Sequence, residues 1–287
     1  MLYLLAVSLL WAFSFGLIKT FLVGVDSAFV AAVRVVLALL VFLPFLRPRA
    51  VAKPATLVLI GIGAIQFGLM YLAYLAAFAS LQAYQIALLT IVTPIFVCLC
   101  DDLFDGRLRW PPFLAAILAV LGAGVIVARQ PLGHAEWLGL ALIQASNLCF
   151  ALGQVLYRRW KLRHPAVRDR DLFAWLYLGA VLITVPFALV RVVHAPPALS
   201  WPQWTVLVYL GVLASGVAFF FWNLGATRTS TAVLAVMNNA KTPLGVAVSL
   251  LVFGESTDLP RLILGGGVVL AAAIYAQRTA PFCRPGR

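Results

Sequence analysis

Apolar residues run through this chain in stretches of about 20, separated by short polar breaks. Ten stretches can be drawn, at about 2–23, 27–46, 54–79, 83–101, 111–128, 135–157, 172–192, 203–225, 230–253 and 260–278. At ~1.5 Å rise per residue, a helix of such length crosses a hydrocarbon layer about 30 Å thick. The breaks carry turn residues, among them Gly24-Val25-Asp26, Arg47-Pro48-Arg49, Asp105-Gly106, Pro131-Leu132-Gly133, Pro196-Pro197 and Ser256-Thr257-Asp258. Between Lys53 and Asp101 there is no Asp, Glu, Lys or Arg, enough for two spans that turn at Ser80-Leu81-Gln82. One longer connection, Arg158 to Asp171, is strongly basic. The first stretch is too long for the apolar core of a cleaved signal and lacks a basic leader, so it reads as a retained span. The pattern predicts an all-α polytopic membrane protein of ten transmembrane helices.

Composition removes the alternatives. The 287 residues are 64% hydrophobic and 10% charged, with a mean hydropathy of +1.04, too little polar surface for a soluble domain of this length. The net charge of +12 would otherwise raise nucleic-acid binding, but no soluble domain carries it. Its placement is the informative part. With the N-terminus in the cytoplasm, fifteen Lys and Arg fall on inner segments and three (Arg129, Arg191, Arg261) on outer ones. That asymmetry predicts both termini inside, with the basic segments against anionic lipid. Cys98, Cys100 and Cys149 lie in apolar stretches and Cys283 in the tail, without metal-ligand spacing. No metal and no cofactor are expected.

The two halves match at an offset of 149. Ala83, Thr93-Pro94, Phe104 and Pro111 fall on Ala232, Thr242-Pro243, Phe253 and Pro260; at an offset of 137, Phe13 and Gly16 fall on Phe150 and Gly153. Five spans per half make the halves run in opposite directions, giving two inverted five-helix repeats at 1–130 and 131–287, the plan of many secondary transporters. Together with Trp11 and Lys19 in the first span, Arg34 in the second, Pro at the middle of the fourth and ninth, and Gly254-Glu255 closing the ninth, this resembles the EamA-type branch of the drug/metabolite transporter superfamily. The resemblance covers the whole chain. It departs from the family after the fourth span, which reads Asp105-Gly106 where Gly-Glu is usual. It implies a bacterial inner-membrane carrier whose central cavity is walled by both repeats and which often exports amino acids or related metabolites.

The sharpest chemical feature is Met237-Asn238-Asn239-Ala240-Lys241-Thr242-Pro243 inside the ninth span. A charged residue at a membrane-helix centre costs about 2.5–3.5 kcal/mol on insertion scales. Lys241 lies about 11 residues from either end of its span, too deep to snorkel easily. Asn238 shares its face, and Pro243 frees the carbonyl of Asn239. The first half has Leu89, Thr90 and Val92 in place of Asn238, Asn239 and Lys241, so the repeat itself does not require the polar cluster. All nine acids sit at or near span ends, so no carboxylate at its own depth neutralises Lys241. Either the lysine is neutral much of the time or the ligand supplies the counter-charge; the other reading is a lysine that anchors a neighbouring helix.

Arg34 and Lys19 read as outer gate or coupling residues, paired with Asp26, Glu255 or Asp258 or capping carbonyls. Pro94 and Pro243 are the expected flexible points. Gln66, Tyr74, Gln144, Asn147, Trp222 and Asn223 supply polar and aromatic groups to the same cavity, against a bland reading as interhelical hydrogen bonds. Tyr3, Trp110, Trp201 and Trp204 fit the interfacial belt. Gly265-Gly266-Gly267 with Ala271-Ala272-Ala273 offers a small-residue packing face and a homodimer contact. The expected function is alternating-access transport of a small metabolite bearing an anionic group, an amino acid or related carboxylate. A channel or a non-transporting sensor is the competing reading. An intramembrane enzyme is disfavoured because His134, His164 and His194 lie in loops and no acid is buried at depth.

Overall fold

In hydrocarbon the backbone must satisfy its own hydrogen bonds, and the described residues of the computed structural model form helices without strands. Described are 2–48, 51–106, 134–193, 197–228, 231–256 and 258–279, with single positions between 110 and 125; at 2–5, 231–240, 273, 276, 277 and 279 only the backbone is given. Most of the fifth predicted span, 111–128, and the Pro131-Leu132-Gly133 turn lie outside this set, as do Arg107, Arg109, Arg129, His194 and Cys283.

Six helical stretches among the described residues are long and apolar enough to cross a membrane: Ser27–Phe45 (containing α2, Ser27–Phe42), Lys53–Ala77 (α3), Ala83–Phe104 (α4), His134–Arg163 (α5), Asp169–Val192 (containing α6, Phe173–Val192) and Trp201–Arg228 (α7). Three further helices are α1 (Leu2–Phe21), α8 (Thr231–Leu251) and α9 (Leu259–Thr279), of 20, 21 and 21 residues. Asp26 caps α2, its Oδ1 accepting from the N–H groups of Ala28 and Phe29 at 2.9 and 3.0 Å. Gly106 and Gly254 turn the chain after α4 and α8 with φ of 65° each, a left-handed conformation that favours glycine.

The basic stretch after 157 is not a loop. Helix α5 runs on to Arg163. Arg159 is held by Asp101 and Asp105, both at 2.6 Å, and cations in a last turn suit the helix dipole. The Thr-Pro sites also behave differently from expectation. In α4 the helix tightens to a 3-10 turn at Thr90–Val92, just before Thr93-Pro94, whereas α8 stays helical through Pro243.

Two distortions were not predicted. Helix α3 widens to a π-helix at Ala64–Leu69 and α7 does so at Tyr209–Val217. Such segments release backbone groups and often mark functional sites. In α7 the released groups are taken up from outside: Ala214 O accepts from Trp11 Nε1 at 2.9 Å, and Ser215 O from the Tyr177 hydroxyl.

Helix α1 lies along α8 and α7, α2 along α6 and α7, α3 along α6 and α5, and α4 along α8 and α5. Helices α3 and α6 meet backbone to backbone. A Cβ on Gly63 would fall 1.8 Å from Leu176 O, and one on Gly179 would fall 1.9 Å from Ile60 O. Aromatic rings fill the interior near this crossing, with Phe67 stacked on Tyr177 at 4.9 Å and tilted against Phe219 at 5.1 Å. On α9, Gly266 faces Leu88 and Gly267 faces open space.

Candidate functional site

Arg34 is the buried hub. It is 2% exposed on α2, and its Nε donates to Ser215 Oγ at 3.1 Å and its Nη2 to the Tyr71 hydroxyl at 2.9 Å. Ser215 Oγ and Tyr71 OH are 2.7 Å apart and share a hydrogen bond. The guanidinium also sits 4.3 Å from the Tyr71 ring centroid. Ser215 belongs to the π segment of α7, and Tyr71 follows that of α3 by two residues. Nη1 is buried with no hydrogen-bond partner among the described residues.

Lys241 faces the same space from α8. It is 7% exposed, with Nζ 4.9 Å from the Trp11 ring and 5.9 Å from the Trp222 ring. A cation over an indole is favourable, the more so when desolvated. Trp11 is held by its bond to Ala214 O and by its contacts with Trp222 and Phe219 at 5.1 and 4.9 Å. No ion pair to Lys241 forms among the described residues.

Arg34 and Lys241 line one and the same cavity. Trp11, Phe15, Tyr74, Phe150 and Phe219 give it aromatic walls, and Thr90, Thr93, Ser146 and Asn147 a polar side. Asn147 Nδ2 donates to Leu89 O at 3.0 Å, next to the break in α4. The other carbonyls around that break are also taken: Ala87 O by Thr90 Oγ1 at 2.8 Å and Thr90 O by Thr93 Oγ1 at 2.7 Å. The break in α4 thus turns a helix into one polar wall.

The remaining expected site residues divide. Tyr74 lines the cavity, edge-on to Phe15 and Tyr71. Gln66 and Asn223 do not; their amides bind each other, Gln66 Nε2 to Asn223 Oδ1 at 2.9 Å and Asn223 Nδ2 to Gln66 Oε1 at 3.2 Å. Trp222 gives its N–H to Gln154 Oε1 at 3.0 Å and meets the site as a ring under Lys241. Gln144 accepts from Asn147 Nδ2 at 3.2 Å, behind the cavity wall. The side chains of Asn238 and Asn239 lie outside the described set.

Lys19 and Glu255 are removed from the cavity and hold one turn. Lys19 Nζ donates to Phe78 O and Leu81 O, both at 2.9 Å. Glu255 accepts from the N–H groups of Ala83 and Tyr84, both at 2.9 Å. Neither meets Arg34, and the other expected rim acids have different partners: Asp26 pairs with Arg191 at 2.7 Å and Asp258 with Arg261 at 3.2 Å. Arg34 therefore pairs with none of the expected rim acids; Ser215 and Tyr71 hold it inside the bundle.

The cavity residues that sequence reading misses include Trp11, Ser14, Phe15, Thr90, Thr93, Ser146 and Phe150. Trp11 and Thr93 had drawn notice only as sequence markers. The usable signal was a mid-span tryptophan in a chain with an unpaired mid-span lysine, since an indole face is one of few neutral partners for a cation.

The sequence profile of the EamA-like transporter family matches residues 1–128 and 137–277. The chain is 41% identical over 283 residues to the biotin transporter of Escherichia coli (strain K12), covering 97% of this chain and 93% of that protein. It is 42% identical over 273 residues to the probable biotin transporter of Pseudomonas aeruginosa, covering 94% and 95%. One solved structure has the same fold, with a TM-score of 0.64 at 18% identity over 97% of this chain and 95% of that one.

Proposed function

Because the chain belongs to the EamA-like transporter family, as a membrane transporter and not an enzyme, we propose that it carries a small carboxylate, biotin ahead of free amino acids, across a bacterial inner membrane. The observation that carries this reading is the convergence of Arg34 and Lys241 on one buried cavity that no acid lines. An anion entering there gains two desolvated cations, and charge-assisted hydrogen bonds are the strong ones.

Biotin suits the remaining wall. Its carboxylate goes to the cations, Lys241 and the free Nη1 of Arg34. Its aliphatic chain and thioether ring go against Phe15, Tyr74 and Phe150, and its ureido group has donors and an acceptor for Ser146, Thr93 and Asn147. The names of the relatives favour the same substrate, so the amino acid first expected takes second place.

Alternating access of two inverted five-span repeats, 1–130 and 131–287, is the mechanism we favour. Three observations support it. The family profile matches the chain in two pieces. Both π segments lie in the third span of a half. Exchanging each helix for its counterpart in the other half maps the packing partners onto themselves: α1 with α8 becomes α5 with α4, and α3 with α6 becomes α7 with α2. The broken turn at Thr90–Val92 and Pro243 are where we expect the helices to flex. The Lys and Arg asymmetry puts both termini in the cytoplasm.

Counterflow in proteoliposomes tests the reading. Labelled biotin is expected to accumulate in vesicles preloaded with unlabelled biotin, saturably and only where the protein is present. Flux without trans-stimulation would point instead to a channel.

A further inference from the structure

We infer that the cavity admits carboxylates and rejects compounds that also bear an ammonium group, with Arg34 and Lys241 as the residues that set this selectivity. The inference rests on the carboxylate-carrier reading above and narrows its substrate class.

Among the described residues, the groups that hold an ammonium most strongly are acids, aromatic faces and backbone carbonyls. Acids come first. All nine in the sequence are described, and none lines the cavity. Asp26, Asp101, Asp169, Asp171 and Asp258 are in ion pairs elsewhere, and Glu255 caps the start of α4. Aromatic faces come second. The Trp11 and Trp222 rings are covered by Lys241 and the Tyr71 ring by Arg34, which leaves the Tyr74 ring and the Phe15, Phe150 and Phe219 rings, each within reach of the same two cations' repulsion. Backbone carbonyls come third. Those of Ala87, Leu89 and Thr90, beside the break in α4, accept from neutral side-chain donors.

The demand on the other side is unmet. Arg34 Nη1 is a buried charged donor without a partner among the described residues, on a residue 2% exposed. A carboxylate satisfies it. An ammonium on the same molecule would stand among like charges in a site walled mostly by apolar groups, where Coulomb repulsion is less screened than in bulk water. A zwitterionic amino acid brings both groups within one carbon of each other, so it cannot place one and withhold the other.

The test compares matched acids on the purified full-length protein. Thermal stabilisation is measured against 3-phenylpropanoate and phenylalanine, which differ only in the α-ammonium. In parallel, labelled-biotin counterflow is competed with biotin and with biotinyl-lysine, which carries a zwitterionic end. The plain acid is expected to stabilise at a concentration about tenfold or more below the amino acid, and biotinyl-lysine to compete at least that much less well than biotin. Equal potency within either pair, or no stabilisation by either acid, overturns the inference. Absent biotin counterflow with the phenylpropanoate preference intact leaves the charge rule standing and removes biotin as the substrate.

Discussion

Gln66 and Asn223 exchange hydrogen bonds across α3 and α7, each amide donating to the other's oxygen, at 2.9 and 3.2 Å. Both are fully buried, and Gly153 on α5 presses on the first, since a Cβ there would meet Gln66 Cβ at 2.2 Å. Removing one partner strands the other amide, while membrane hydrogen bonds are individually modest. Gln66→Ala and Asn223→Ala are therefore each expected to destabilise by about 1 kcal/mol. The double variant should lose less than the sum of the two. Melting temperatures in one detergent check this, and the apparent affinity for substrate should not move, because neither residue lines the cavity.

Arg34 uses three nitrogens differently: Nε on Ser215, Nη2 on Tyr71, and Nη1 buried without a partner among the described residues. Lysine keeps the charge but cannot reproduce the planar fork. Arg34→Lys is expected to reduce transport about tenfold or more, the scale of one hydrogen bond to a charged group. Tyr71→Phe, which leaves the charge and the Ser215 bond, should be milder. Initial uptake rates of the two variants at matched expression decide it.

The helices were legible in the sequence because hydrocarbon leaves the backbone no other solution. Lys241 was legible for the same reason: a mid-span cation with no acid at its depth has to be explained. Arg34 was not, because its partners Ser215 and Tyr71 come from α7 and α3, and counting residues along α2 does not say what those helices bring to it. Nothing in Ala64–Leu69 or Tyr209–Val217 announces i→i+5 bonding; the groups that take up the freed carbonyls of α7, from Trp11 on α1 and Tyr177 on α6, come from other helices. The reciprocal pairing of Gln66 with Asn223 was hidden likewise. The sequence offers two intramembrane amides but not whether they face each other or a ligand.

Lys19 and Glu255 grip opposite sides of the turn between α3 and α4, one on carbonyls and one on amides. If that turn closes one end of the cavity, Lys19→Ala and Glu255→Ala loosen the same latch. Each is expected to increase maleimide labelling of a cysteine placed at Ile18 in a background without native cysteines. The effects should be non-additive, because both residues act on one turn. Unchanged labelling in both variants would confine them to a structural role.

Asp26 joins the start of α2 to Arg191 at the end of α6. Partial burial pushes its carboxyl up, but the hydrogen bond and charge of Arg191 and the N–H groups of Phe29 and Ala28 outweigh this and hold it below its ordinary range. The stabilisation is then fully present above the unfolded value of about 3.9 and fades as the pH falls through the lower folded value. Asp26→Asn should melt below wild type at neutral pH, with the difference shrinking below about pH 4. A difference that persists unchanged in acid would contradict the sign.

The central claim is that the ammonium of Lys241 and the carboxylate of the substrate are the two halves of one ion pair. A binding cycle reads this directly: biotin and its neutral amide, each titrated against wild type and Lys241→Gln in detergent. Removing either charge is expected to weaken binding about tenfold or more, and removing both should cost little beyond the first loss. Losses that simply add, or wild-type affinity for biotin in Lys241→Gln, would show that the two charges do not meet.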